Sequence, residues 1–297
     1  MKNKILVIMS VYNEPIEFIK ASITSIQDQS YKLFSVVIIV DNPKVSVEVI
    51  DFLNNLQGSD NRFTIHRNRN NDGLANSLNT AVSKVDLSEF EYIARMDSDD
   101  ICVKNRFEVQ VQYLNSNVEV DLVGSSAFQI DENNNRLKDF SVRSGPVFLD
   151  YGSNSIHPTW MMRKSIFIDL GGYRNFECAQ DYDFLCRASL KGYKIVNISD
   201  FLIFYRLRSG SIGAKKRLLQ RRIKFYISCE YRRKKLLSKN IPIFNSNLMC
   251  DYFNYIESKK LEKGMFSRLL YPFSFYHMKN IYFIHMKNRK VDCGYRD

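Results

Sequence analysis

The sequence predicts an α/β fold in which a mostly parallel β-sheet is flanked by helices. Short apolar runs alternate with longer segments whose apolar residues recur at helical spacing, and this alternation is typical of βαβ units. The runs are nearly continuous in Val, Ile and Leu, as expected for strands covered on both faces. Three of them end near side chains able to bind ligands, Asn13, Asp41 and Asp97. Ligands of such sheets bind at the carboxyl ends of the strands, so we expect the functional site there.

The first half of the chain shows a regular repeat of strand and helix. We expect strands at residues 4–10, 35–40, 63–66 and 92–96, and helices at residues 16–29, 45–56 and 74–85. The helix at 16–29 shows the pattern most clearly, because four isoleucines follow the 3-4-3 spacing of one buried face: Ile16, Ile19, Ile23 and Ile26. Right-handed crossovers then place the strands side by side in parallel.

The second half is less regular. A helix at 104–114 and a strand at 120–128 precede a segment without clear periodicity at 131–154. His157 precedes Pro158, and because proline disfavours helical backbone at the preceding residue, we expect an extended conformation at His157. Further helices begin at residue 164 and near residue 180, and strands are expected at 193–198 and 202–207.

The composition is that of an ordinary globular protein. Of 297 residues, 45% are hydrophobic and 25% are charged, which allows a substantial core. Six cysteines are scattered without a C-x-x-C pair, which argues against a zinc site and for a reducing compartment. The N-terminal apolar run is short and no apolar run reaches about 20 residues, so we expect neither a secretion signal nor a transmembrane helix. The expected location is the cytoplasm.

The net charge of +11 is unevenly distributed along the chain. From residue 215 onward, 20 Lys and Arg face 6 Asp and Glu, whereas the first 214 residues carry a net charge of −3. This asymmetry divides the chain more sharply than any linker does. We therefore expect a main domain at residues 1–212 and a basic, aromatic and helical extension at residues 213–297.

The extension suggests attachment to a membrane surface. Lys and Arg cluster at 215–235, where one long helix is expected, and aromatic residues mix with charges at 265–285. Such a mixture favours the headgroup layer of an anionic bilayer, so we expect peripheral attachment to the inner face of the plasma membrane. One alternative is a helix that packs its apolar side on the main domain. Another is nucleic-acid binding, which is disfavoured because the positive charge is confined to the extension.

Three carboxylates follow the strand at 92–96 within four positions: Asp97, Asp99 and Asp100. Asp97 and Asp99 are two residues apart, so their side chains share a face if the backbone is extended. Hard oxygen ligands at a strand end suit Mg²⁺ or Mn²⁺, which takes further ligands from water and from the phosphates of a substrate. The alternative is an acidic loop in which Asp99 or Asp100 caps the next helix.

Several short motifs occur in order between about residues 4 and 212: Val11-Tyr12-Asn13-Glu14, Val40-Asp41, Asn71-Asp72-Gly73-Leu74-Ala75, Asp97-Ser98-Asp99-Asp100, His157-Pro158-Thr159, Gly171-Gly172-Tyr173 and Gln180-Asp181. Through this ordered set the chain resembles the family 2 glycosyltransferases, inverting enzymes with a Rossmann-like GT-A fold. Each motif is weak alone, but the ordered set is very specific.

The resemblance implies a role for each matching residue. Asp99 would bind the metal ion, Mn²⁺ or Mg²⁺, and Asp181 would be the general base. Asp41 would accept a hydrogen bond from the ring N–H of uracil or thymine. His157 and Gln180 would be candidate contacts to donor or acceptor, although a structural role before Pro158 is about as good an account of His157. The nucleotide-sugar would lie against Val11, Tyr12, Glu14, Asp41, Asn71, Gly73, Ala75, Arg95, Asp97 and Ser98.

The implied reaction transfers one sugar from a UDP- or dTDP-sugar to a hydroxyl of a glycan or of a polyprenyl-diphosphate-linked acceptor. The resemblance also implies a place in the assembly of bacterial surface polysaccharide, such as O-antigen or capsule. No Gln-x-x-Arg-Trp motif follows Asp181, and processive synthases of the family use that motif. We therefore expect a non-processive enzyme that adds one sugar per cycle.

The chain departs from the family pattern at two positions of the site. Asn42 stands where many members carry a second Asp, and Gln180 stands where the base segment usually begins with Glu. The second departure favours Asp181 over Asp183 as the base, and both leave open a catalytically degenerate member of the family. A nucleotidyltransferase is a weaker alternative, because it would need a glycine-rich phosphate loop after the first strand, where this chain has an acidic turn.

Overall fold

The computed structural model describes residues 3–208 and 216–237. The strands are β1 (Ile5–Val11), β2 (Phe34–Val40), β3 (Phe63–Arg67), β4 (Tyr92–Asp97), β5 (Ile101–Cys102), β6 (Leu122–Ile130), β7 (Gly145–Pro146), β8 (Met161–Arg163) and β9 (Ile195–Arg206). The helices are α1 (Ile16–Gln27), α2 (Val47–Ser59), α3 (Leu74–Ser83), α4 (Arg106–Ser116), α5 (Lys164–Leu170), α6 (Gln180–Leu190) and α7 (Arg217–Leu237). Short 3-10 turns lie at Leu87–Glu89 and His157–Thr159.

The strands form one sheet in the order β3-β2-β1-β4-β8-β6-β9-β5, and β7 pairs with β9. β1 pairs in parallel with β2 and β4, and β2 pairs in parallel with β3. Beyond β4 the sheet is mixed, because the short β8 lies antiparallel between β4 and β6, while β6 and β9 are parallel. The α/β fold predicted from the sequence is confirmed.

The apolar pattern of the first half explains how the sheet is covered. Every residue of β1 from Ile5 to Met9 is fully buried, so both faces of this strand are covered. Ile19, Ile23 and Ile26 of α1 are also buried and belong to the same core cluster as alternate residues of β1. Burying an aliphatic side chain of this size contributes about 1.5–3 kcal/mol, and this burial holds β1 at the centre of the parallel half.

Two expectations for the second half are wrong. The strands expected at 193–198 and 202–207 are one strand, β9, because exposed Ser199 and Asp200 lie within it where its register with β6 shifts. His157 is not extended but begins a 3-10 turn, and the extended residue is Ile156. Pro158 fits this turn because the first positions of a helical turn need no N–H donor.

The long helix expected in the extension is present as α7. Its apolar side packs on the main domain, which is one of the alternatives left open by the sequence, and it buries Ile223, Phe225, Tyr226, Ile227 and Tyr231. The Tyr231 hydroxyl is 3.0 Å from the Ser189 hydroxyl of α6. The boundary expected at residues 212 and 213 and the aromatic stretch at 265–285 lie outside the described residues. Of the helices at 3–208 and 216–237, none is long and apolar enough to cross a bilayer.

Candidate active site

The carboxyl ends of β1, β2 and β4 meet at one edge of the sheet. Val11 of β1 lies beside Val40 of β2, and Ser10 lies beside Asp97 of β4. The Asp41 N–H then donates to the Val11 carbonyl at 2.8 Å, which extends the pairing by one residue. The segments at 12–14, 41–42 and 97–100 therefore share this edge, as the sequence predicts.

The carboxylate of Asp41 organises the loop between β3 and α3. It is only 3% exposed. Its Oδ1 accepts hydrogen bonds from the Asn68 side chain (2.7 Å) and the Asp72 N–H (2.9 Å), and its Oδ2 accepts one from the Gly73 N–H (2.8 Å). Gly73 has a φ of +82°, a left-handed conformation that glycine adopts without penalty. The predicted nucleoside residue is thus held by the chain's own donors, and Asn71 Oδ1 adds a further acceptor for the Gly73 N–H at 3.1 Å.

Two polar side chains fix the turn that follows β1. Glu14 Oε2 accepts from the Tyr12 N–H at 2.8 Å, and the Asn42 amide donates to the Tyr12 carbonyl at 2.8 Å. Asn42 Oδ1 also accepts from the Lys44 N–H at 2.9 Å. An ionised aspartate could not donate to that carbonyl, so the departure at residue 42 has a local structural role. Tyr12 itself is 42% exposed at this edge.

The acidic cluster, which we define as Asp97, Asp99 and Asp100, lies at the end of β4. One carboxylate oxygen from each residue lies within 4.8 Å of the others. Arg95 is fully buried and donates to the Asp97 carboxylate and to the Met96 carbonyl. This buried guanidinium fixes the orientation of the Asp97 side chain from inside the protein.

The donor set of the acidic cluster fits a divalent metal ion. Carboxylate oxygens are the hard ligands that Mg²⁺ and Mn²⁺ prefer. Asp100 provides an independent observation: it is 1% exposed, its Oδ1 accepts from the Arg206 N–H at 2.8 Å, and its Oδ2 is buried without a hydrogen-bond partner among the described residues. Such an oxygen is costly to bury, and a bound cation would relieve that cost.

Burial and the proximity of like charges raise the pKa values of two carboxyl groups of the acidic cluster, Asp99 and Asp100. Burial first, and then the charge of Asp97, raise the pKa of Asp99 to about 6, against the opposing effect of Arg208. Burial, together with Asp97 and Asp99, raises the pKa of Asp100 well above its ordinary value. The acidic cluster therefore favours the uptake of a proton or a cation.

Two arginines at the end of β9 enter the site, and sequence reasoning missed both. Arg206 donates to the backbone carbonyls of Asp99 (2.8 Å) and Asp131 (3.0 Å). Arg208 donates to the carboxylates of Asp99 (2.5 Å) and Glu14 (3.2 Å). The partners are separated by 75 to 194 residues along the chain, so no local sequence pattern could have signalled these contacts.

The predicted base, Asp181, lies in the first turn of α6 and is partly exposed. Its neighbour Gln180 is 7% exposed. Asp183, the other carboxylate of this turn, is 4% exposed and accepts from Arg187 Nε at 2.8 Å. Arg187 in turn donates to the carbonyls of Leu170 and Gly172. Asp183 is therefore committed to holding α6 against the preceding turn, whereas Asp181 stays accessible.

His157 begins the 3-10 turn that precedes β8, and β8 pairs with β4. Its Nε2 is 2.9 Å from the Tyr173 hydroxyl, and Asn79 fixes Tyr173 through hydrogen bonds to its N–H (2.8 Å) and carbonyl (2.7 Å). Burial, with a smaller effect of Arg95, lowers the pKa of His157 well below its ordinary value. The histidine is thus a neutral partner of the tyrosine.

The surroundings of two tyrosines, Tyr173 and Tyr205, raise their pKa values. Burial raises the pKa of Tyr173, and the charges of Asp181 and Asp97 raise it further, against the effect of Arg95. Burial also raises the pKa of Tyr205, with added effects of the acidic cluster and of Asp181. The pKa of Tyr173 thus depends on Asp97 and Asp181, and that of Tyr205 depends on all three carboxylates of the acidic cluster and on Asp181. No sequence pattern assigns a role to either tyrosine, although Tyr173 belongs to the Gly171-Gly172-Tyr173 motif.

Some of the predicted nucleotide-sugar contacts have little exposed surface. At most 3% of each residue is exposed for Val11, Ala75, Arg95 and Ser98. Their side chains support the edge of the sheet from within, as Arg95 does for Asp97. A direct contact with the ligand stays a prediction for these residues and for the other members of the predicted set.

Comparison with known proteins shows sequence relatives over most of the chain. Residues 6–171 match the family model described as glycosyl transferase family 2. The uncharacterized glycosyltransferase MJ1057 of Methanocaldococcus jannaschii is 33% identical over 211 residues, which cover 69% of this chain and 71% of that protein. The O-antigen biosynthesis glycosyltransferase WbnJ of Escherichia coli is 29% identical over 253 residues, which cover 79% and 97% of the two chains.

Solved structures share the fold at low sequence identity. S. aureus TarS 1-349 in complex with UDP-GlcNAc gives a TM-score of 0.59 at 16% identity and covers 75% of this chain. The mannosyltransferase PcManGT from Pyrobaculum calidifontis, in complex with GDP-Man and Mn²⁺, gives 0.58 at 15% identity and covers 82%. The match spans 66% of each of those two chains. The family match and the shared fold agree, and this chain belongs to glycosyl transferase family 2 as a glycosyltransferase with a GT-A fold.

Proposed function

We propose that this glycosyltransferase transfers one sugar from a UDP- or dTDP-sugar to a hydroxyl of a glycan or of a polyprenyl-diphosphate-linked acceptor, with inversion of configuration. One observation carries the proposal: three carboxylates lie within 4.8 Å of one another at the end of β4, on the same edge of the sheet as the buried Asp41. Asp181 is a further carboxylate, partly exposed in the first turn of α6. An inverting displacement needs a cation site for the leaving group and a base for the incoming hydroxyl, close to one sugar. Family membership does not favour the degenerate and nucleic-acid-binding alternatives.

The nucleoside is proposed to bind between Asp41 and Tyr12. Each carboxylate oxygen has two lone pairs, and the one hydrogen bond described for Asp41 Oδ2 comes from Gly73, which leaves capacity for the ring N–H of uracil or thymine. The exposed ring of Tyr12 offers an aromatic face for the base. The UDP-GlcNAc complex of TarS supports a uridine donor, and the GDP-Man complex of PcManGT is the reason to include guanosine donors in a screen.

The diphosphate is proposed to bind at the acidic cluster, with Mn²⁺ or Mg²⁺ on Asp99. A divalent cation there stabilises the negative charge that develops on the leaving diphosphate without moving a proton. Arg95 orients Asp97 and Arg206 holds the backbone of Asp99, so the chain positions these carboxylates before the ligand arrives. The Mn²⁺ in the PcManGT complex supports this assignment.

Asp181 is proposed to be the general base. It accepts the proton of the acceptor hydroxyl while that oxygen forms its bond to the anomeric carbon, and the bond from that carbon to the diphosphate oxygen breaks on the opposite face. The positive end of the α6 dipole favours a negative charge in its first turn. Asp183 is paired with Arg187 and is not available. One carboxylate is enough for a single displacement, unlike the close pair of a retaining glycosidase.

The acceptor is proposed to belong to surface-polysaccharide assembly, because WbnJ is named for O-antigen biosynthesis. A polyprenyl-linked acceptor would lie at the membrane, and we propose peripheral attachment at its cytoplasmic face through the basic extension. Within that extension, Arg217 and Arg221 of α7 are exposed. Sedimentation of the full chain with anionic and with neutral vesicles tests the attachment, and equal recovery with both would exclude it.

The test of the reaction uses donor binding and slow donor hydrolysis, in which water replaces the acceptor. UDP-, dTDP- and GDP-sugars are titrated by calorimetry with Mn²⁺ or with EDTA, and release of nucleoside diphosphate is followed for the donors that bind. We expect metal-dependent binding of a UDP- or dTDP-sugar. Asp181→Asn should lower the turnover by about 10²–10⁴-fold, the usual contribution of a general base, and leave the donor Kd within about twofold, because Asp181 does not hold the nucleotide.

The matched control is Asp139→Asn, which removes one carboxylate from an exposed pair with Arg136 and should change neither value. Binding of no nucleotide sugar would refute the proposed function. Full turnover in Asp181→Asn would refute the assignment of the base while leaving the donor class intact.

A further inference from the structure

Arg208 joins three parts of the active site. It follows β9, and its side chain is 13% exposed. Its Nε donates to Asp99 Oδ2 at 2.5 Å, and its Nη2 donates to Glu14 Oε1 at 3.2 Å. One guanidinium thus connects the end of β9 with the end of β4 and with the turn after β1.

The neighbouring arginines have other partners. The Arg95 guanidinium donates to Asp97 and Met96, and the Arg206 guanidinium donates to backbone carbonyls. Within the described residues, Arg208 is therefore the cation paired with the Asp99 carboxylate. The buried Asp100 Oδ2 has no hydrogen-bond partner among the described residues, so the acidic cluster also offers an oxygen atom that the chain itself does not satisfy.

Asp99 is also the carboxylate that the proposed function assigns to the metal. A guanidinium 2.5 Å from one of its oxygens and a divalent cation bound to the same carboxylate would repel each other across a few ångströms of a largely buried site. Simultaneous binding of the guanidinium and the metal ion to Asp99 is therefore unfavourable unless another negatively charged group binds beside them. The diphosphate of the donor is such a group, and the planar fork of a guanidinium matches phosphate oxygens.

We propose that Arg208 is a positioning residue that occupies the cation position at Asp99 in the ligand-free enzyme and competes there with the divalent metal until the donor diphosphate draws the guanidinium away. This rests on the proposed function for the identity of the donor. It makes metal and nucleotide bind cooperatively, because each favours the state in which Arg208 has left Asp99. The coupling is reciprocal: metal strengthens nucleotide binding by the factor by which nucleotide strengthens metal binding.

The first arm of the test uses Mn²⁺ alone as the probe. Free Mn²⁺ is measured by electron paramagnetic resonance during titration of the full chain, for wild type, Arg208→Gln and the control Arg136→Gln, which makes the same charge change at an exposed pair. We expect Arg208→Gln to bind Mn²⁺ about tenfold more tightly than wild type, a typical coupling, and Arg136→Gln to match wild type.

A second variant keeps the test valid if Arg208→Gln folds poorly by circular dichroism. Arg208→Lys retains the charge as a point and loses the fork that spans Asp99 and Glu14, so its Mn²⁺ affinity should lie between those of wild type and Arg208→Gln. Equal or weaker Mn²⁺ binding in both Arg208 variants would overturn the proposal. Failure of every variant to bind Mn²⁺ would also overturn it, because the competition requires a metal site.

The second arm repeats the titration in the presence of UDP. In wild type, UDP should tighten Mn²⁺ binding, and in Arg208→Gln this enhancement should shrink by about tenfold. Enhancement that is unchanged in the variant would contradict the proposal. The two arms separate its failure from that of the proposed function, since the first arm needs no nucleotide. A tighter Mn²⁺ site without any nucleotide binding would support the role of Arg208 and refute the donor.

Discussion

At the end of the site proposed to bind the nucleoside (the nucleoside end), Asp41 accepts three hydrogen bonds from Asn68, Asp72 and Gly73 and is almost fully buried. At the end proposed to bind the diphosphate, the acidic cluster has three carboxylates within 4.8 Å of one another and leaves the buried Asp100 Oδ2 without a hydrogen-bond partner among the described residues. Both ends are built from aspartates at the carboxyl edge of the same parallel sheet. They differ in whether the chain supplies enough hydrogen-bond donors to satisfy the carboxylate oxygens.

This difference indicates how each end contributes to binding. Asp41 and its loop are already ordered by their own hydrogen bonds, so a nucleoside bound there as proposed would meet a preorganised surface and little conformational entropy would be lost on binding. The acidic cluster is unfavourable as it stands, because burial and mutual repulsion disfavour its charged form. Cation binding there relieves an existing cost. The nucleoside end should therefore determine which ligand is recognised. The acidic cluster should determine whether the site can bind the diphosphate, because that depends on a bound cation.

Removal of the Asp41 carboxylate should produce the largest change in stability. Asp41→Ala removes an acceptor from three partly buried donors. The Gly73 N–H keeps Asn71 Oδ1 and the Asn68 amide keeps the Ser77 hydroxyl, so we expect each loss to cost about 1 kcal/mol, the lower end of the range for a buried donor. We expect the free energy of unfolding to fall by about 3 kcal/mol, which lowers the Tm by roughly 6–12 °C in a domain of this size. Urea unfolding followed by circular dichroism measures it.

The matched control for this substitution is Asp139→Ala, since Asp139 forms an exposed pair with Arg136. Pairs of this kind contribute about 0–1 kcal/mol, so its unfolding curve should lie close to that of wild type. Equal small losses in both variants would mean that the loop at 68–73 does not depend on Asp41, and the contrast between the two ends would not hold.

The acidic cluster should make the metal-free protein less stable as the pH rises. The folded-state pKa of Asp99, raised by burial to about 6, exceeds the ordinary carboxyl value, so between about pH 4 and pH 6 the folded chain retains a proton that the unfolded chain has lost. Stability therefore falls through this window, by about 1–3 kcal/mol for this one group. Asp99→Asn should remove most of that dependence.

The informative quantity is the difference between wild type and Asp99→Asn in urea unfolding with EDTA from pH 4.5 to 7.5. The lowered pKa of buried His157 acts in the opposite direction, because the unfolded chain takes up a proton there as the pH falls. This contribution is common to both proteins and cancels. Parallel pH profiles would show that Asp99 is not destabilised by its surroundings.

The parallel half of the fold could be predicted because its signals are local. The strand at 92–96 and the helix at 16–29 were recognised from five to fourteen consecutive residues, and their ends shift by no more than two residues in β4 and α1. β9 is predicted as two strands, at 193–198 and 202–207, and the residues between them include the polar Ser199 and Asp200. They are exposed in a strand that continues, and only the pairing with β6 reveals it.

The candidate site shows the same difference between local sequence signals and contacts made by distant residues. The acidic cluster is contiguous in sequence, so its chemistry is visible there. Arg208 reaches Asp99 and Glu14 across 109 and 194 residues, and Tyr205 gains its place only after β9 has paired with β6. Residues of one contiguous motif can be found from their spacing in the sequence. Arg208 and Tyr205 come from the mixed half of the sheet, and their place in the site can be recognised only once the fold is known.

The smallest expected effect is at the start of α6, next to the proposed base Asp181. It tests whether this segment is free of strain, like the loop around Asp41, or energetically unfavourable in the folded state, like the acidic cluster. Ala179, next to Gln180 and Asp181, is buried and has a φ of +65°. A left-handed alanine costs about 1–2 kcal/mol, and glycine would relieve this but lose about 0.5–1 kcal/mol of backbone entropy on folding. Ala179→Gly should therefore change the free energy of unfolding by no more than about 1 kcal/mol, measured by urea unfolding. An increase in the free energy of unfolding well above this would show that the backbone beside Asp181 is strained. A large decrease would show that the start of α6 depends on packing of the Ala179 methyl group.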